Sequence, residues 1–167
     1  AFSSSMDRPY ETAQIILQNK SDLEITKIEK LVEISHGLWE GRLENEIREK
    51  WPELLKNWHE KPEEVIMPEG ESIKEVSERS VKAWEEICLS QKKEDLTLLV
   101  AHDAVNKTLI CKILGIDFSN IWMIKQGNGG ISIIDIFDDP QKDNVISALN
   151  ITTHLGGILD STASGAL

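Results

Sequence analysis

Apolar and polar positions change period several times along this chain. Phe2 to Ser5 can close a short strand. Ser5 or Asp7 can then cap a helix with Pro9 in its first turn, where proline's missing amide is tolerated. That helix is predicted to run to about Gln18, with Ala13, Ile16 and Leu17 on one side. Leu23 to Ile28 reads as a second strand. The stretch from Leu31 to Gly41 has no regular period and gathers Glu33, His36, Gly37, Trp39, Glu40 and Gly41. Leu43 to Trp58 has helical spacing, interrupted near Pro52, and a polar Pro/Glu loop follows to Gly70. Ser72 and Glu75 form a capping box ahead of a helix whose apolar side is Ile73, Val76, Ala83, Trp84 and Ile87. Leu96 to Ala101 is nearly all apolar, as in a strand covered on both faces. Ala104 to Leu114 is predicted as an amphipathic helix stopped by Gly115. Phe118 to Ile124 reads as a short helix or turn, and residues 126 to 130 as a flexible glycine-rich loop. Ile131 to Phe137 and Val145 to Ile151 read as a β-hairpin joined by residues 138 to 144. Strands alternating with helices predict an α/β sandwich with a mostly parallel sheet.

Composition narrows the partners more than the fold. The 167 residues are 40% hydrophobic and 28% charged, with a formal net charge of −11. Such an acidic chain lacks the basic face a phosphate backbone or an anionic bilayer requires, so nucleic acid and membrane are not expected partners. A locally positive pocket for a small anion remains compatible with that balance. The two cysteines, Cys88 and Cys111, fall in apolar helical patterns and predict neither a disulfide framework nor a zinc site. The sequence has no long apolar run and no signal-peptide pattern. The sequons at Asn106 and Asn150 are therefore read as chance, and the expected compartment is reducing: cytoplasm, or plastid stroma in a plant.

Three reactive groups follow strands. Arg8 comes after the first, Glu33 after the second, and His102 directly after Leu96–Ala101. Ligands of open α/β sheets bind beyond the carboxyl ends of the strands, so these groups can converge. The amides of Asp103 and Ala104 open the following helix, where an anion is favoured. A cation, a histidine, helix amides and a separate carboxylate suit phosphoryl chemistry. Each residue also has a plainer structural reading. Arg8 alone would be a surface ion-pair former, Glu33 a solvated or capping carboxylate, and His102 a satisfied core histidine. His36 could be a further ligand group, but loop packing is the favoured role. His59 is read as solvent-facing, and His154 as capping or packing. The five tryptophans are read as core and hinge packing. The glycines at 127–130 match no lysine-containing phosphate loop.

Taken together, four segments resemble the histidine phosphatase superfamily, the phosphoglycerate mutase-like proteins. They are SSSMDRPYETA, LVEISHGLWEGRLENEI, PEGESIKEVSERS with Arg79 in the corresponding place, and LLVAHDAVNKTLICKILGI. HDAVNKTL and KQGNGG look closest to cyanobacterial and plastid members. The resemblance implies a three-layer α/β fold in which Arg8 binds the phosphoryl group. It implies Glu33 as general acid and then base, and His102 as stabiliser of the transferring oxygens. The backbone around Asp103 and Ala104, with Gly127–Gly130, would assist. Asp103 departs from the glycine common at that place, and helix capping is its favoured role. The family's nucleophile is a histidine in an Arg-His-Gly motif at the end of a first strand, and this sequence contains no such motif. Residues 1–155 are therefore expected to be the C-terminal portion of one domain lacking its first strand and helix, followed by a tail over 156–167. The missing segment would come from the same polypeptide or another chain. Stability without that segment is not expected, because a central strand would be gone; homo-oligomerisation is left open.

EISHGLWEG resembles the phosphatase version of the glutamate motif rather than the mutase version. The expected activity is hydrolysis of a small phosphorylated acid or sugar through a phosphohistidine in the complete domain, with no cofactor or metal required. The alternatives are mutase-type transfer, or an inert anion-binding or interaction module. A Gly-x-Ser-x-Gly hydrolase or phosphate-loop protein is disfavoured because neither motif occurs.

Overall fold

The computed structural model describes residues 1–20, 22–137 and 141–156. It falls into two compact units, Ala1–Ile121 and Trp122–Leu167. The expected tail over 156–167 lies outside the described residues except for Gly156.

The first unit is built on a three-stranded parallel sheet: β1 (Phe2–Ser4), β2 (Thr26–Ile28) and β3 (Leu99–Val100), in the order β2-β1-β3. Ser3 sits opposite Lys27 on one side and Val100 on the other. Helix α1 (Asp7–Ile16) connects β1 towards β2. The short helices α2 (Glu44–Lys50) and α3 (Pro52–Glu60) follow, then α4 (Ile73–Ser90), which leads to β3, and α5 (Asp103–Leu114). Parallel neighbours joined by helical crossovers make this an α/β fold, as the alternating pattern implied.

Local rules account for most boundaries. Pro52 opens α3, where it loses no hydrogen bond. Ser72 Oγ accepts the Glu75 amide while the Glu75 carboxylate accepts the Ser72 amide, so the expected capping box closes. Helix α4 buries Ile73, Val76, Ala83 and Ile87 and packs against α5. Gly115 ends α5 in the left-handed region, φ 63°, where glycine has no Cβ penalty.

Three expectations need correction. Helix α1 has no side-chain cap: neither Ser5 nor Asp7 plays that role, and Met6 occupies the cap position. Its buried residues are Pro9 and Ala13, while Ile16 is exposed. The apolar run 96–101 is not a strand covered on both faces. Only Leu99 and Val100 are strand, both half-buried, and Leu96 is 99% exposed. Among the described residues β3 pairs with β1 alone, so its outer edge has no strand to protect it.

The second unit contains the expected antiparallel hairpin, β4 (Ile131–Asp135) and β5 (Val145–Ile151), with its first strand ending at Asp135 rather than Phe137. The glycine run beside it is a tied turn rather than a loose loop. The Gly127 amide donates to Asn150 Oδ1 at 2.7 Å, and the Gly130 amide to the Gly127 carbonyl at 2.8 Å.

Candidate active site

The parallel register brings residues far apart in sequence to one end of the sheet. Ser4 ends β1, and α1 starts three residues later with Arg8 in its first turn. His102 follows β3 and occupies the N-cap position of α5, with only 4% of its surface exposed. Arg8 Nη2 lies 3.3 Å from His102 Nδ1, and His102 Nε2 lies 2.9 Å from Ser4 Oγ.

These contacts settle the ring's protonation pattern. A guanidinium only donates, so Nδ1 facing Arg8 is the acceptor, and Nε2 carries the proton and donates to Ser4. Burial pushes the His102 pKa down to about 4, and the positive charges of Arg8 and Arg79 act in the same direction. His102 is thus a neutral imidazole at physiological pH.

Glu33 reaches the same end of the sheet from the segment after β2. Its Oε2 accepts the Asp103 amide at 3.1 Å, and its Oε1 accepts the Ile34 amide at 3.0 Å. Burial raises the Glu33 pKa above the usual carboxylate value. The Asp103 charge adds to that effect, while the amides of Ile34, Ala104 and Asp103 oppose it. A carboxyl held ready to keep its proton beside a cation–imidazole pair is a suitable general acid.

The Asp103 amide, expected to face an anion, here serves Glu33. Asp103 does not cap α5. It is the first residue of the helix, and its Oδ2 accepts from Lys107 Nζ at 2.8 Å. His36 packs edge-on against Trp58 with ring centroids 6.0 Å apart, which matches the loop-packing role. His59 and His154 are exposed. Gly127–Gly130 belong to the second unit. Among the described residues no group of three or more His, Cys, Asp or Glu side chains is placed to hold a metal ion.

Little in the sequence marks the residue that holds the Glu33 segment in place. Arg79, on α4, uses all five of its N–H donors. Nε and one Nη2 hydrogen bond Glu71 at 2.7 and 2.9 Å; the rest reach the carbonyls of Lys30, Val32 and Glu33 at 2.7–3.1 Å. Glu71 Oε2 also accepts the Ser35 amide at 2.9 Å, and the Glu71 amide donates to the Ser35 carbonyl at 2.8 Å. The irregular 30–38 segment thereby gains the partners that regular structure would have supplied. Two glycines permit this close approach. A Cβ on Gly37 would sit 2.2 Å from the Pro68 carbonyl oxygen, and one on Gly70 would sit 2.5 Å from that of Ser35. Helical periodicity marks the apolar side of α4 and is silent about Arg79. Only the family resemblance singled it out, without a role.

The sequence profile of the Histidine phosphatase superfamily (branch 1) matches residues 1–151. The chain belongs to this superfamily. It is 36% identical over 155 residues to phosphoserine phosphatase 1 of Hydrogenobacter thermophilus, covering 93% of this chain and 71% of that protein. It is 30% identical over 139 residues to the 2-carboxy-D-arabinitol-1-phosphatase of Triticum aestivum, covering 83% of this chain and 28% of that protein. The α-ribazole phosphatase of Shigella flexneri superposes with a TM-score of 0.77 at 25% identity, covering 90% of this chain and 72% of that one. Phosphoglycerate mutases are among the further relatives. The α/β architecture with its parallel sheet is that of these histidine phosphatases, and the phosphatases among them support phosphomonoester hydrolysis as the chemistry. Among the described residues no helix is long and apolar enough to cross a membrane.

Proposed function

We propose that residues 1–155 carry most of a phosphomonoesterase site in which Arg8 and His102 hold the phosphoryl oxygens and Glu33 moves the proton. The observation that carries this reading is the meeting of Arg8, His102 and Glu33 at one end of a parallel sheet, from three separate strand ends. In the first half-reaction a phosphoryl group passes to a histidine nucleophile while the protonated Glu33 carboxyl gives its proton to the departing alkoxide. In the second, the Glu33 carboxylate takes a proton from the water that attacks the phosphohistidine, and phosphate leaves. The Asp103 and Ala104 amides support the Glu33 carboxylate in both steps. Arg8 supplies a permanent positive charge where the phosphoryl oxygens gather negative charge.

The nucleophile comes from outside residues 1–167, from the same polypeptide or another chain. Two facts support this: the sequence holds no Arg-His-Gly, and the outer edge of β3, the strand leading to His102, has no partner among the described residues. A strand added there would place its end beside His102, because neighbouring strands lie only about 4.8 Å apart. The substrate is a small phosphorylated acid or sugar. The Hydrogenobacter relative is named for a phosphorylated amino acid and the Triticum relative for a phosphorylated sugar acid. The resemblance to plant sequences favours a plastid or cyanobacterial setting.

The test is p-nitrophenyl phosphate hydrolysis by the protein with its nucleophile segment present, beside Arg8→Ala. Loss of one transition-state donor should lower kcat by about a hundredfold. Unchanged turnover in Arg8→Ala would refute the assignment.

A further inference from the structure

Ser4 is wholly buried at the end of β1, one residue beyond the Ser3–Val100 pair in the sheet. Its hydroxyl meets His102 Nε2 at 2.9 Å and also accepts the Met6 amide at 3.4 Å. Nothing in the chemistry above required a hydroxyl there, and no periodicity or charge pattern marks it. The charged groups set around the ring are Arg8 from α1 and Arg79 from α4, both cationic, while Glu33 sits on the neighbouring Asp103 amide. With Arg8 against Nδ1, only Nε2 can keep a proton in the ligand-free protein, and that proton needs a buried acceptor.

We infer that Ser4 is the positioning residue for His102, anchoring Nε2–H so that Nδ1 stays aimed at the place where a phosphoryl oxygen arrives. The inference rests on the reading of Arg8 and His102 as phosphoryl ligands. When a phosphate dianion enters between them, its charge offsets that of Arg8, and Nδ1 takes one proton from solvent. The ring becomes an imidazolium that donates from Nδ1 to the anion and, still, from Nε2 to Ser4 Oγ. The ring need not turn over, because Ser4 accepts the same proton before and after binding. His102 is thus neutral while the site is empty and cationic only where a negative charge is present, with the change confined to one nitrogen.

The experiment is 15N NMR of the protein labelled at its histidine ring nitrogens, with and without inorganic phosphate, for wild type, Ser4→Ala and Ser3→Ala. His102 is assigned through His102→Asn. Ser3 is a fitting control. It is equally buried, and its hydroxyl donates to the Ser4 carbonyl at 2.9 Å instead of touching the ring. The expected wild-type spectrum has a protonated Nε2 and a bare Nδ1 without phosphate, and two protonated nitrogens with it. Ser4→Ala should blur the two tautomers and weaken phosphate binding by about fivefold, the effect of one lost hydrogen bond, while Ser3→Ala leaves the His102 signals in place.

A wild-type ring protonated at Nδ1 without phosphate would overturn the inference, as would Ser4→Ala signals and affinity identical to wild type. Equal disturbance in both serine variants would also overturn it, showing only general damage to β1. Wild-type nitrogens that ignore saturating phosphate would instead refute the phosphoryl-ligand reading. The ligand-free spectra would still decide whether Ser4 fixes the tautomer.

Discussion

Glu33 Oε2 accepts the amide of Asp103 at 3.1 Å, joining residues 70 positions apart. That single contact couples the irregular segment after β2 to the first turn of α5. It sets the carboxyl on the amide of the residue that follows His102, and whatever positions Glu33 therefore bears on the proposed reaction.

Arg79 bears on it most. Its five donors are divided between Glu71 and three carbonyls of the 30–33 segment. Arg79→Ala leaves the three carbonyls without their guanidinium donors and the half-buried Glu71 carboxylate with the Ser35 amide but no cation. The expected loss is about 2–4 kcal/mol of unfolding free energy in urea denaturation. Arg79→Lys should recover little of it, because a lysine ammonium cannot reproduce a planar five-donor fork. Full stability in Arg79→Ala would show that the segment is held by other means.

The glycine clamp makes a separate prediction. Gly37 has φ 54° and no room for a Cβ beside the Pro68 carbonyl. Gly37→Ala should cost about 2 kcal/mol or more, adding a steric clash to a left-handed residue's strain. Gly41 also has a positive φ, 73°, but open space around it. Gly41→Ala should cost about 1 kcal/mol, from backbone strain alone. Equal effects in the two variants, measured by thermal unfolding, would mean that the close approach of the two segments contributes nothing.

His102 predicts a pH dependence with a definite sign. Its pKa falls from 6.5 to about 4 on folding. Between those values the unfolded chain binds more protons than the folded one, so stability rises with pH through that window. The contribution is complete above about 6.5 and is lost as pH falls towards 4. His102→Asn, which cannot titrate, should flatten the slope of unfolding free energy between pH 4 and 6.5. An unchanged slope would mean that His102 is not held neutral. Glu33 works in the opposite direction. Its raised pKa stabilises the fold below the ordinary carboxylate range, and this benefit fades as pH rises through the folded value.

Much of this was legible in the sequence, for reasons that differ by residue. The Ser72–Glu75 box and Gly115 are local signals whose geometry depends on a few neighbouring residues, and they appear as expected. Arg8, Glu33 and His102 were visible because strand ends of a parallel sheet share one edge. The 96–101 run misled because an apolar composition cannot say whether a neighbouring strand is present to cover it. Asp103 misled because its carboxylate finds Lys107 one turn along the helix instead of a free amide. Ser4, Glu71 and Arg79 act through contacts between distant segments, which leave no trace in periodicity.

The most direct test concerns the proton. With the nucleophile segment present, kcat/KM should be compared between wild type and Glu33→Gln for p-nitrophenyl phosphate and for an alkyl phosphate such as glycerol phosphate. A nitrophenolate leaves without help, while an alkoxide needs a proton. General acid catalysis contributes about 10²–10⁴-fold, so Glu33→Gln should lose at least about a hundredfold more activity on the alkyl ester than on the aryl ester. Equal losses on both esters would contradict the account, showing that Glu33 holds the site together without supplying the proton.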